Sequence, residues 1–111
     1  MFATATPTRA GLIQAEIFGA RSLNANGRFN EAVTAADQSV RDATSRLGDM
    51  KHSSFMGQAL LELATAKSGL GDAAAARAAI GGALENLLAT VGARAAEVQR
   101  AETLRQSLDA Q

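Results

Sequence analysis

The sequence predicts an all-α protein, for three reasons. Ala, the strongest helix former, supplies much of the 47% hydrophobic content. Pro occurs once, as Pro7, near the start of the chain. Apolar residues return at intervals of three and four over most of the length, with no sustained β-branched alternation. A chain of 111 residues is enough for one domain with a modest core. Aromatic residues make up 4% and all are Phe, so the core must come from close helix approach rather than large side chains.

Five helices follow from the pattern, taken in order. Residues 1–7 read as a flexible N-terminus before a single domain at 8–111, with Thr6 as cap and Pro7 in the first helical turn. Helix one, about 8–26, places Ile13, Ile17, Ala20 and Leu23 in one stripe, broadened by Leu12 and Phe18. Gly27 suits a left-handed stop. Helix two, about 30–47, repeats Phe29, Ala32, Val33, Ala36, Val40, Ala43 and Leu47, with Asn30 as N-cap and Gly48 as stop. A polar stretch, GDMKHSS, leads to helix three, about 53–69. There Met56, Leu60, Leu63, Ala64 and Lys67 share a face, Phe55 and Ala59 flank it, and Ser53 or Ser54 is the expected cap. Gly71 breaks the chain, and Asp72 is placed to cap helix four, about 73–91. Its inward set is Ala76, Ile80, Ala83, Leu84, Leu87, Leu88 and Val91, and Gly92 ends it. Helix five, about 94–109, has a thinner face of Val98, Ala101, Leu104 and Leu108.

Shifted by 44 residues, the chain matches itself. Gly27 falls on Gly71 and Gly48 on Gly92; Ile17 falls on Leu61 and Ala20 on Ala64. Ala32, Ala36, Val40 and Leu47 fall on Ala76, Ile80, Leu84 and Val91. Leu104 and Leu108 fall on Leu60 and Ala64, which makes helix five the first helix of an incomplete third unit. Repeat one is then about 8–48, repeat two about 52–92, and the capping helix about 94–109.

The stretch ARSLNANGRFNEAVTAADQSV resembles a tetratricopeptide repeat, and ELATAKSGLGDAAAARAAIGGAL resembles a second copy. Ala20 matches the small first-helix position, Gly27 and Phe29 the turn pair, and Ala32 the small residue facing helix one. Ala64, Gly71, Ala76 and Ala83 match in the second copy. The resemblance implies stacked antiparallel helical hairpins and a protein-binding role. Departures are Ala73 where an aromatic is usual, Glu16 where a large apolar residue is expected, and a period of 44 rather than about 34. Ile17, Leu61 and Thr65 also break the basic, Asn-rich cluster with which family members capture a C-terminal carboxylate, so that ligand is not carried over.

Composition argues against several functions. Eleven basic and eleven acidic residues alternate along the chain, so no basic face for nucleic acid is expected. There is no Cys, hence no disulfide or thiol chemistry, and His52 alone makes no zinc site. His52 next to Ser53 and Ser54 lacks an oriented base and an oxyanion site, so capping is the better role for the serines. SGLGD at 68–72 has no lysine-bearing phosphate signature. No cofactor is expected. Neither a signal peptide nor a membrane span is expected, which makes the cytoplasm the expected compartment. Acids are expected to pair locally, Glu31 with Arg28, Asp37 with Arg41 and Glu97 with Arg100.

Stacked hairpins present a concave face lined mainly by first helices. On it the expected protein-binding residues are Gln14, Arg21, Asn24, Gln58, Glu62 and Thr65. The function read from the chain is a non-enzymatic protein–protein interaction module or small adaptor for a protein or peptide partner. The alternative is a self-associating helical bundle acting as a chaperone or structural protein, with a homodimer formed through helix one.

Overall fold

The computed structural model describes residues 9–47 and 51–110. They form five helices, α1 (Arg9–Ala25), α2 (Phe29–Leu47), α3 (Ser54–Gly69), α4 (Ala73–Thr90) and α5 (Ala96–Asp109). No strand occurs among the described residues. The expected flexible segment at 1–7, the Thr6–Pro7 start and the Gly48 stop lie outside them.

Glycine and short polar side chains set the helix ends. Gly27 has φ of 72° and Gly71 of 81°. Each closes the same double hydrogen-bonded turn. The Arg28 N–H donates to the Leu23 carbonyl at 2.9 Å and the Gly27 N–H to Asn24 at 3.0 Å. At the second site the Asp72 N–H donates to Lys67 at 2.9 Å and the Gly71 N–H to Ser68 at 3.0 Å. This is the Schellman geometry, which satisfies the last carbonyls of a helix. Gly92, with φ of 85°, sends its N–H to the Leu87 carbonyl at the end of α4. Ser53 Oγ accepts from the Met56 N–H at the start of α3, and the Asp72 carboxylate accepts from the Ala75 N–H at the start of α4. Asn30 is not the cap of α2. The Arg28 carbonyl accepts the first bond from the Ala32 N–H, so Asn30 lies within the first turn, where Glu31 pairs with Arg28.

The helices pack in sequence. α1 meets α2 and α3, α2 meets α3, α3 meets α4 and α5, and α4 meets α5. No contact joins α2 to α4 among the described residues. α3 is therefore the central element and touches all the others. One apolar face cannot serve four neighbours, and the single face expected for this helix is corrected accordingly. Met56, Gly57, Ala59, Leu61, Ala64 and Ala66 are all buried around it, while Leu60 and Leu63 are only half-buried. In α4 the inward set stops at Leu87. Leu88 and Val91 are exposed, because the neighbouring helices cover one stripe and Leu88 sits about 100° round the helix from Leu87.

Two apolar clusters result. The larger joins Leu61, Ile80, Leu84 and Leu87 to Val98 and Leu108; the smaller joins Ile13, Ile17 and Ala59, backed by Val40 and Phe55. Ala20, Ala32, Ala64 and Ala76 are wholly buried at the seams, which is what lets the helices approach. Phe29 is half-buried against Gly69. The array is elongated, 54 × 30 × 22 Å, and its sequential packing is consistent with a helical repeat.

Candidate functional site

α1, α3 and α5 share one side of the array, since all three line one depression. Two adjoining depressions lie along it. The first, about 120 Å³, is lined by Gln14, Phe18 and Arg21 of α1, Gln58 and Glu62 of α3, and Arg100 of α5, over a floor of Ile17 and Leu61. The second, about 540 Å³ and more open, runs between Thr65 of α3 and Arg100, Thr103, Leu104 and Ser107 of α5. Arg100 borders both, so they form one continuous surface.

The lining repeats. Gln14, Ile17, Phe18 and Arg21 on α1 have counterparts 44 residues later in Gln58, Leu61, Glu62 and Thr65. On α5 the counterparts are Arg100, Thr103, Leu104 and Ser107, which are offset by 42. At the expected shift of 44, Leu104 and Leu60 are both half-buried, and Leu108 and Ala64 are both buried. α5 begins 42 residues after α3, because α4 and the connection after it are together two residues shorter than α2 and its connection. Met56, Ala59 and Ala66 thus correspond to Val98, Ala101 and Leu108, all buried. At the same offset Gly57, Leu61 and Ala64 fall on Gln99, Thr103 and Gln106, which are exposed.

Of the expected surface residues, Gln14, Arg21, Gln58 and Glu62 meet in the first depression and Thr65 lies in the second. Thr65 spends its hydroxyl on the Leu61 carbonyl at 2.9 Å. Glu62 is turned inward and only 2% exposed. Its Oε2 accepts from Arg100 at 3.2 Å and its Oε1 from Asn24 Nδ2 at 3.1 Å. Asn24 Nδ2 also reaches the Glu62 carbonyl at 3.0 Å. Asn24 is thus a strut from α1 to α3, and Arg100 ties α3 to α5. The local pair expected between Arg100 and Glu97 gives way to this link, because a buried carboxylate needs a partner more than an exposed one does. Arg41 likewise donates to Gln38 at 2.8 Å rather than pairing with Asp37.

The residues that sequence inspection missed are Phe18, Glu97 and Arg100 as walls of the depression. Phe18, 56% exposed, was visible as an apolar residue at the broadened edge of the α1 stripe. Arg100 carried no signal, since its partner is 38 positions away.

His52, Ser53 and Ser54 line a shallow depression with Phe55 and Thr90. His52 Nε2 lies 3.4 Å from Glu85 Oε1, and Ser53 is occupied as a cap, with its N–H bonded to Asn86 Oδ1 at 3.0 Å. No group of three metal-ligating side chains occurs among the described residues. No described helix is long and apolar enough to cross a membrane. Comparison with protein-family models, with curated proteins and with solved structures gives no match for this chain.

Proposed function

We propose that the chain is a non-catalytic protein-interaction module of stacked, tetratricopeptide-like helical hairpins, working in the cytoplasm. In this reading an extended segment of a partner protein lies along the α1/α3/α5 surface. The observation that supports it most is the lining set that recurs from α1 to α3 to α5 over an apolar floor of Ile17 and Leu61. Phe18 supplies an exposed aromatic rim and Arg21 an exposed guanidinium beside it, the side-chain types that commonly anchor interfaces. The mixed charge of Arg21, Arg100 and Glu97 suits a peptide of mixed polarity better than a polyanion.

The test is to pan a random peptide library against the protein. Enriched peptides should lose most of their affinity for Phe18→Asp and Arg21→Glu, and keep it for Arg105→Glu, which lies off this surface. Equal binding by all variants would remove the assignment.

A second reading, self-association, rests on a different observation. The first helix exposes Leu12 (49%) and Phe18, whereas α5 at the other end shows polar Gln99 and Gln106. Among the described residues only the α1 end is apolar, so association through it would close as a two-fold dimer instead of growing into a fibre. Molar mass by light scattering should then fall to the monomer value in Leu12→Ser.

A further inference from the structure

Glu16 occupies a position of α1 where the repeat pattern calls for a large apolar residue. With Asp42 of α2 it lines a cavity of about 190 Å³, together with Leu12, Ile13 and Ser45. Oε2 of Glu16 is buried and has no hydrogen-bond donor. Asp42 accepts from Gln38 Nε2 at 3.1 Å on its own helix, so it has one oxygen satisfied within α2. A buried carboxylate oxygen beside a second carboxylate, with no donor of its own, favours a proton held between them.

We propose that Glu16 and Asp42 form a proton-dependent latch between α1 and α2. With one proton shared, the carboxyl groups hydrogen-bond and close the seam; with both ionised, they repel and loosen it.

The surroundings leave these two groups to each other. From α2, Arg41 is bonded to Gln38 and Arg46 lies over the Phe55 ring, 5.7 Å from its centre. From α3, the other helix packed on α1, Glu62 is held by Asn24 and Arg100, and neither it nor Lys67 lines the cavity. Arg21 of α1 lines the opposite depression. Among the residues whose side chains are described, Asp42 is thus the only charged group that shares the cavity with Glu16. Burial, the hydrogen bond to Asp42 and the Asp42 charge all push the Glu16 carboxyl above the ordinary carboxylate value of 4.5.

The sign follows from linkage. A carboxyl raised in the folded state binds its proton more tightly there than in the unfolded chain. Its contribution is complete below 4.5 and is lost as pH rises through the raised value. The latch therefore favours a seated α1 in mild acid and a loosened one above it.

A double-mutant cycle with Glu16→Gln, Asp42→Asn and the pair, read by urea midpoint from about pH 4 to about pH 8, tests this. At the upper pH Glu16→Gln should raise the midpoint in the presence of Asp42 and raise it less in the Asp42→Asn background. At the lower pH the coupling should vanish or reverse. In the wild-type chain the Glu16 side-chain carboxyl resonance should titrate above the free value and fall back in Asp42→Asn. The Ile13 methyl resonance should move with it, while the Ile80 methyl stays still. A coupling that does not change with pH, or a Glu16 that titrates identically with and without Asp42, would overturn the latch.

Discussion

Gly57 and Gly69 show how one missing methyl group can set a helix–helix distance. A Cβ at Gly57 would fall 2.7 Å from Leu87 Cγ and 3.2 Å from Asn86 Cβ; at Gly69 it would fall 2.5 Å from the Phe29 ring. Leu87 is fully buried and has nowhere to go, so Gly57→Ala should destabilise the chain by about 1–3 kcal/mol. Gly81 is also helical, yet nothing lies within 4 Å of its would-be Cβ. There Gly81→Ala should stabilise by about 0.5–1 kcal/mol through propensity alone. Urea midpoints moving in the same direction for both would contradict this. In the sequence the two glycines look alike, since each is merely a weak helix former. The Glu62 link makes a similar contrast. Removing Arg100 leaves a carboxylate that is 3% exposed with Asn24 as its remaining side-chain partner. Arg100→Ala should cost about 1–3 kcal/mol, at the lower end of what broken buried pairs cost, because Arg100 itself is partly solvated. Replacing both residues with Leu should recover much of that loss, as apolar substitutes of similar size often do. If the double variant is no more stable than Arg100→Ala, the pair contributes something other than mutual neutralisation.

At the scale of elements, caps and registers matter most. Asp72→Ala removes the side-chain acceptor at the start of α4 and should cost about 1 kcal/mol. Arg77 secures the far end of α5. It donates to the Leu108 carbonyl at 2.7 Å, so Arg77→Ala should fray the last turn of α5 and increase hydrogen exchange there. Unchanged exchange of the α5 C-terminal amides would show that the bond has no role in solution. The ends of α1, α3 and α4 were legible because Gly27, Gly71 and Gly92 carry positive φ, a requirement that shows directly in residue type. The start of α2 was missed by one residue because Asn30 is a good cap by type. The chain instead uses Arg28, whose side chain pairs with Glu31 (2.8 Å, Nε to Oε1). The register of α5 is less legible. An Ala-rich helix gives few distinctive side chains to align, and only the buried set of Val98, Ala101 and Leu108 fixes its rotation.

The whole molecule depends on its last helix. α5 covers Leu61, Ile80, Leu84 and Leu87 with Val98, Ala101 and Leu108, and brings Arg100 to Glu62. A chain ending at Gly92 would expose that cluster and strand the carboxylate. It should lose its cooperative thermal transition by circular dichroism and self-associate; a sharp, reversible transition with unchanged helicity would show the first four helices to be self-sufficient. Gln99, Thr103 and Gln106 on α5 are exposed and polar.

Sequence alone decided the helical class, the number of helices, most of their ends and the alanine seams at Ala20, Ala32, Ala64 and Ala76. These are local properties, written in propensity, spacing and backbone conformation. It also placed Gln14, Arg21, Gln58 and Thr65 on one surface, because a repeat of fixed period carries one face into the next. Tertiary structure decided the rest. It turned Glu62 inward, joined it to Asn24 and Arg100, and set Glu16 against Asp42. Each of those outcomes depends on which side chain arrives from a distant helix, and no local preference encodes that arrival.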